Sequence, residues 1–341
     1  MSIQYKSPLV SIIIPCKNAC QFIDECINSI VEQTYTHWEL IIVDDHSTDQ
    51  SLTILQQWGN KHPNIKILPN EGTGIIDALR LAYANSNGNL ITRMDADDIM
   101  IPIKLSTMIA QLNISGPGNL ATGRVKYFRN DQPIGNGYMR YAEWLNSMST
   151  KGANFEEIYK ECVIPSPCWM MFREDLDRIG AFQSNTYPED YDLVFRMYMH
   201  QLNVIPCTNE ILHLWRDHGS RASRNDDNYK DNRFLELKIN YFIEIDHRND
   251  KPLVIWGAGT KAKSIAKQLI TANIHFHWIT DNKNKIGHNI YGTVLSSSSL
   301  LSSLSNAQII LTIANPQEKK VIKHHISSLA NSGLYQSIWF C

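Results

Sequence analysis

The chain has 341 residues, enough for two domains at roughly 150 residues each. Hydrophobic residues make up 43% and charged residues 19%, ordinary globular usage that excludes wholesale disorder and fibrous repeats. With 32 Lys and Arg against 34 Asp and Glu, the formal charge is −2, so no global field is available to hold nucleic acid or an anionic membrane.

Residues 9–14 form an apolar run broken only by Ser11, which predicts a buried strand ending at Pro15. Asn18 followed by Gln21 reads as a capping box for a helix whose apolar face is Phe22, Ile23, Cys26, Ile27, Ile30 and Val31. A strand is predicted over 38–43. Ser47 with Gln50 repeats the cap signal before Leu52, Ile54, Leu55 and Trp58, and Gly59 sits where a helix end is expected. Strands over 65–68 and 90–94 flank a helix over 75–84. Alternation of this kind predicts a parallel sheet covered on both faces. Residues 116–137 read as turns and short strands, 144–178 as helical in parts, and 196–215 as helix then strand. The polar stretch 246–250 is the expected linker, after which 253–256 opens a second strand–helix pattern. The boundaries are therefore 1–245, a linker at 246–250, and 251–341.

No apolar run approaches the ~20 residues that span a bilayer. The first seven residues carry one Lys and no apolar core, unlike a secretory signal. Seven cysteines, an odd number without a metal-ligand spacing, read as free thiols in a reducing compartment. The expected location is cytoplasmic, with contact at the inner face of the membrane left open.

In an open parallel sheet, ligands bind where loops converge at the carboxyl ends of the strands. Asp44 and Asp45 follow the second predicted strand, and Asp95, Asp97 and Asp98 follow the fourth. Two acidic clusters at neighbouring strand ends repel unless a cation or hydrogen-bond donors lie between them. Oxygen-rich clusters suit Mg2+ or Mn2+, which in turn suit a diphosphate. Asp-x-Asp alone says little, since Asp175-x-Asp177 and Asp190-x-Asp192 also occur; position after an apolar strand singles out the one at Asp95.

The segments Ile13-Ile14-Pro15-Cys16-Lys17-Asn18, Ile42-Val43-Asp44-Asp45-His46-Ser47-Thr48-Asp49, Asn70-Glu71-Gly72-Thr73-Gly74 and Arg93-Met94-Asp95-Ala96-Asp97-Asp98 resemble, in this order, the family 2 glycosyltransferases. The resemblance covers roughly residues 8–225. It implies an α/β fold of the GT-A type and inverting transfer of a sugar from a nucleotide-sugar donor, UDP-linked in the simplest reading. Carried over residue by residue, Pro15 would line the base pocket and Asp45 would accept a hydrogen bond from the nucleobase. Gly74 would lie on the nucleotide-sugar side, Asp95 would face ribose and metal, and Asp97 would ligate the divalent ion. Asp98 would brace the loop, and Asp44 and Asp49 would serve loop hydrogen bonds and helix capping. Where family members commonly have Asn, this chain has Arg80, which either meets a donor phosphate or reaches to solvent.

Inversion needs one general base on the acceptor side. Pro188-Glu189-Asp190-Tyr191-Asp192 resembles the family's Glu-Asp motif, which makes Asp190 the base and Glu189 its neighbour, orienting the loop or touching the acceptor. A helix N-terminus lowers a carboxyl pKa, so burial and nearby acids would have to raise it again. Trp215-Arg216-Asp217-His218 resembles the family's Arg-x-His segment; His218 would complete the metal shell or meet the diphosphate, helped by Arg216 or Arg221. Trp169 is read either as a sugar-stacking ring or as core. The implied acceptor is a glycan or lipid-linked glycan.

In the second predicted domain, Gly257-Ala258-Gly259 between strand and helix, with Asp281 after the next strand, is a variant of the dinucleotide fingerprint. Taken alone it spells NAD(P). The region resembles small Rossmann-like domains attached to sugar-modifying enzymes, and the expectation is a structural or regulatory unit. Two alternatives stand beside the transferase: an NAD(P)-dependent sugar-modifying oxidoreductase, and a non-catalytic sugar-binding protein on the same fold.

Overall fold

A computed structural model describes residues 7–130, 132–225, 231–313, 315–329 and 336–340. Runs of β-branched side chains fix the centre of the first sheet: β1 (Val10–Cys16) and β2 (Trp38–Asp44) pair in parallel, Ile12, Ile13, Ile14, Ile41 and Ile42 all being buried. β3 (Ile65–Pro69) pairs with β2, and β4 (Leu90–Arg93) with β1, again in parallel. Helices α1 (Ile23–Val31), α2 (Ser51–Lys61) and α3 (Ile75–Ala84) connect these strands and turn their apolar faces inward.

Beyond β4 the sheet changes direction. β7 (Trp169–Phe172) lies antiparallel between β4 and β6 (Asn119–Phe128), β8 (Asn203–Arg216) runs parallel to β6, and β5 (Ile99–Met100) is antiparallel at the edge. The order is β3-β2-β1-β4-β7-β6-β8-β5. The expected parallel sheet therefore holds for β3-β2-β1-β4, while the other half is mixed, with β7 antiparallel to both of its neighbours and β5 antiparallel to β8. The remaining helices here are α4 (Lys104–Ser115), α5 (Asn136–Ser149), α6 (Arg173–Arg178), α7 (Glu189–Met199) and the short α8 (Ala222–Asn225).

Two local expectations fail for one reason, and a third fails separately. Asn18 and Ser47 do not cap α1 and α2, whose preceding residues are Phe22 and Gln50. Instead Asn18 Oδ1 accepts the Thr48 amide (2.8 Å) and Ser47 Oγ accepts the Asn18 amide (2.9 Å), so the two loops bind each other across the strand ends. Asp49 takes the capping role, accepting the Ser51 amide at 2.9 Å. Gly59 lies inside α2, which continues to Lys61.

A second compact unit comprises residues 157–162 and the described residues from 231 onward. Its sheet has the order β10-β9-β13-β14, all parallel, built from β9 (Leu253–Trp256), β10 (His277–Ile279), β13 (Gln308–Leu311) and β14 (Gln336–Trp339). β11 (Asn289–Ile290) and β12 (Thr293–Val294) make a small antiparallel pair. Helices α9 (Asp231–Tyr241), α10 (Thr260–Thr271) and α11 (Pro316–Leu329) complete it. The boundary thus differs from the expected 245/251. The stretch read as a linker belongs to this unit, because Gln308 of β13 donates to the Asp246 carbonyl (2.7 Å) and accepts the Arg248 amide (2.8 Å). The six described cysteines are free thiols.

Candidate active site

Four parallel strands deliver polar residues to one edge: register pairs Cys16 with Asp44, and Ile13 with Arg93, two residues before Asp95. Asp45 is buried there and already oriented. Its Oδ1 accepts Asn70 Nδ2 (2.7 Å) and the Gly74 amide (2.9 Å), and its Oδ2 accepts Lys17 Nζ (3.0 Å). Burial pushes this carboxyl up, but the bonds from Gly74, Asn70 and Lys17 outweigh it and hold the pKa below the usual value. Gly74 has φ +90°, a conformation that a side chain would strain, and a Cβ there would stand 3.3 Å from the Tyr187 hydroxyl. The glycine segment therefore touches both the Asp45 pocket and the loop leading to Asp190. Asp44, beside it, accepts the Ser47 amide at 3.2 Å, while its buried Oδ1 has no hydrogen-bond partner.

Arg80, on α3, is committed to the protein itself. It donates to Asp77 (2.8 Å), to the carbonyls of Phe182 (3.2 Å) and Gln183 (3.2 Å), and to Asn185 Oδ1 (2.9 Å). Neither of its sequence-based roles, phosphate contact or solvent reach, describes this arrangement.

At the end of β4, Asp95 Oδ1 accepts Arg93 Nε (3.0 Å), and Arg93 NH1 donates to Glu189 Oε1 (3.0 Å). One buried guanidinium thus ties the aspartate loop to the Glu-Asp motif. Asp97 Oδ2 lies 2.7 Å from His218 Nε2, whose Nδ1 is 2.9 Å from Ser220 Oγ. Phe22 packs against the His218 ring with centroids 4.5 Å apart. Asp98 is fully buried and accepts the Arg216 amide (2.8 Å), with His213 Nε2 at 2.9 Å from its other oxygen, which is a bracing arrangement.

Arg216 and Arg221, considered together from sequence, differ here. Arg216 donates to the Asp97 carbonyl (2.6 Å), to Asn130 (3.3 Å) and to Glu25, and stacks between Phe22 and Phe128. Arg221 lies over the Tyr127 and Trp215 rings, near enough to Asp97 and Asp98 to feel their charge.

Asp190 stands in the first turn of α7, after Pro188, and accepts the Tyr191 amide at 2.8 Å. Burial, then the Glu189 charge, raise its pKa to about 7 against the opposing pull of Arg93. These are the influences that the helix terminus requires if a carboxylate there is to act as a base near neutrality. Trp169 is 2% exposed within β7, so of its two readings the structure selects core.

In the second unit, Gly257 has φ +126°, and a Cβ there would stand 2.2 Å from Thr312 Oγ1. The strand–glycine turn–helix pattern is present, with Gly259 preceding α10. The groups a dinucleotide would use are bonded within the unit. Asp281 accepts Trp256 Nε1 (2.8 Å) and Ser298 Oγ (2.6 Å), Trp278 Nε1 donates to the Gly257 carbonyl (2.6 Å), and Lys285 Nζ to that of Ala258 (3.0 Å). Each Asp281 oxygen, the group that would receive a ribose, thus accepts one hydrogen bond from within the unit.

Residues that sequence reasoning passed over include Lys17, Asn70 and Arg93. Lys17, Asn70 and Arg93 stood within the quoted motifs, but nothing local distinguished them from solvated side chains.

The fold and the strand-end carboxylates define the class: an α/β nucleotide-diphospho-sugar transferase domain of the GT-A type. A solved structure of S. aureus TarS (residues 1–349) with UDP-GlcNAc superimposes with a TM-score of 0.55 at 17% identity, covering 76% of this chain and 71% of that one. The family model of glycosyl transferase family 2 matches residues 11–180, and the chain belongs to that family. An uncharacterized glycosyltransferase of Haemophilus influenzae is 40% identical over 106 residues, 31% of this chain and 33% of that protein. The chondroitin synthase of Escherichia coli is 39% identical over 95 residues, 28% of this chain and 14% of the synthase. The chain thus spans a third or less of the length of these relatives. Among the described residues, no helix is long and apolar enough to cross a membrane.

Proposed function

We propose that the chain is an inverting glycosyltransferase that moves a sugar from a nucleotide-sugar, UDP-linked, to a hydroxyl of a saccharide or lipid-linked saccharide, in glycan or cell-envelope polysaccharide synthesis. The observation that carries this reading is the place of Asp190 in the first turn of α7, next to Glu189, which Arg93 joins to the donor-side Asp95; burial there pushes the Asp190 pKa up to about 7. UDP-GlcNAc bound to TarS and the polymer made by chondroitin synthase support the donor and product classes.

In this reading Asp45 and Pro15 hold the base, with the Lys17 ammonium on the exposed side of Asp45. Asp190 accepts the proton of the acceptor hydroxyl as that oxygen bonds to the anomeric carbon. The bond from that carbon to the diphosphate breaks on the opposite face. Glu189, paired with Arg93, orients the loop rather than touching the acceptor. Arg216 is fully engaged within the protein, which leaves Arg221 as the cation for the departing diphosphate.

A divalent ion, Mn2+ or Mg2+, supplies charge neutralisation on that leaving group when bound. Among the described residues, no cluster of three or more His, Cys, Asp or Glu is arranged to hold a metal. Ions in phosphate chemistry are commonly held by one or two carboxylates, with substrate phosphates and water completing the shell. Asp97 and His218, 2.7 Å apart and near Asp95, meet that smaller demand. An imidazole in the set matches Mn2+ better than the harder Mg2+. A nucleotide-sugar donor and free thiols together favour a cytoplasmic site, at the inner membrane face if the acceptor is lipid-linked.

The test is Asp190→Asn assayed with a panel of UDP-, GDP- and dTDP-sugars. Turnover should fall by at least about a hundredfold, the scale of general-base catalysis, while donor Kd stays within twofold. Wild-type turnover in this variant would remove Asp190 from the mechanism.

A further inference from the structure

Behind the aspartate loop runs a line of ionisable side chains that no step above uses. Lys104 at the start of α4, His213 in β8 and Asp98 each have a relative exposure of 0%. Lys104 Nζ donates to the Pro167 carbonyl (2.6 Å) and lies 3.4 Å from His213 Nδ1. His213 Nε2 lies 2.9 Å from Asp98 Oδ2, and Asp98 Oδ1 accepts the Arg216 amide at 2.8 Å. An ammonium has only protons to offer, so Nδ1 accepts, and the single proton of the neutral imidazole is then on Nε2, facing Asp98. Every donor therefore meets an acceptor, with Lys104 donating to both of its neighbours and Asp98 accepting from both of its own.

The two ends of this line flank the candidate ion ligands. Asp98 follows Asp97 directly, and Arg216 precedes His218 by two residues. Apolar side chains of similar volume could fill the same space, and burying charge is costly. What apolar packing lacks is direction: it does not fix both oxygens of Asp98 at set angles, as a satisfied polar network does.

We propose that Lys104 and His213 are positioning residues for the divalent ion, holding Asp98 so that Asp97 and His218 converge before the ion arrives. This rests on the metal reading given under the proposed function. Arg216 contributes at the same point, since its guanidinium also bonds the Asp97 carbonyl.

The experiment measures Mn2+ binding to the full chain in saturating UDP by the electron paramagnetic resonance signal of free Mn2+, against UDP alone as control, alongside UDP affinity in the absence of metal. His213→Leu removes both hydrogen bonds, His213→Gln retains a donor near the Nε2 position, and Lys104→Met keeps volume without charge. His213→Leu should weaken Mn2+ binding about tenfold or more, the range for partners that orient metal ligands. Metal-free UDP affinity should change less than twofold, and His213→Gln should recover most of the Mn2+ affinity. Lys104→Met should fall between the two. If His213→Leu does not fold, His213→Gln and Lys104→Met carry the comparison.

Unchanged Mn2+ affinity in both His213→Leu and Lys104→Met overturns the proposal. So does an equal loss in His213→Leu and His213→Gln, or an equal loss of metal-free UDP binding, because each reports general loosening. Wild-type protein with saturating UDP that binds no more Mn2+ than UDP alone overturns the metal reading itself, before any substitution is compared.

Discussion

Asp190 is a carboxyl under opposing influences: its place in the first turn of α7 favours the charged form, whereas burial and Glu189 favour the neutral one. The outcome, a pKa of about 7, makes two predictions at the scale of this residue. The pH profile of kcat/KM should rise with unit slope and level off above about pH 7. In Glu189→Gln the midpoint should move down, because a negative neighbour is lost and Arg93 is left to Asp95 and Asp190. The second concerns stability. Below the unfolded carboxyl value of about 4 both states are protonated and the group contributes nothing. As pH rises from there to about 7, the unfolded chain ionises while the folded state keeps its proton, so stability falls; above 7 the penalty is complete. Asp190→Asn should therefore raise Tm at pH 8 and leave it unchanged near pH 3.5. An equal shift at both pH values would point to packing instead of charge.

At the scale of elements, the apolar runs carried most of the information. Helix α3 occupies the predicted 75–84, and β2 extends the predicted 38–43 by one residue. The strand-end carboxylates were legible for the same reason, since a buried strand must end somewhere and its first polar residues mark the rim. The partners of those carboxylates were not legible. Asn70 reaches Asp45 across 25 residues of sequence and His213 reaches Asp98 across 115. Asn18 and Ser47 match local capping rules yet serve each other, because the strands bring their loops together. Arg80 illustrates the consequence for function. Its bonds to residues 182–185 join α3 to the loop that leads to Asp190. Arg80→Ala should lower kcat several-fold, leave donor Kd within twofold, and increase proteolytic cleavage between 182 and 187. A rise in donor Kd with kcat unchanged would mark Arg80 as a phosphate contact after all.

At the scale of the whole molecule, residues 157–162 lie between two segments of the first unit in sequence but belong to the second in space. Tyr159 shows why: its hydroxyl donates to Asp246 (2.6 Å), and its ring stacks on Phe340 with centroids 5.3 Å apart. Lys238 Nζ, likewise, donates to the Lys160 carbonyl at 2.8 Å. A truncation after residue 225 removes all these partners and exposes Ile158 and Tyr159, both buried in the full chain. Ending the chain there should lower soluble yield and Tm relative to the 341-residue chain. Replacing Ile158 and Tyr159 with Ser in the truncated chain should restore part of the yield by removing exposed apolar surface. A truncated protein as soluble and as stable as the parent would show that 157–162 needs none of these partners.

The same interleaving bears on how such a chain can change by recombination. A terminal module joined at a single point can be exchanged between genes by one crossover, with each half carrying its own core. Here an exchange of everything after residue 225 would leave a foreign unit facing the original Ile158, Tyr159 and Lys160. The short insert and the long C-terminal region must therefore vary together, so covariation between 157–162 and positions such as Asp246 and Lys238 is expected among descendants of this architecture.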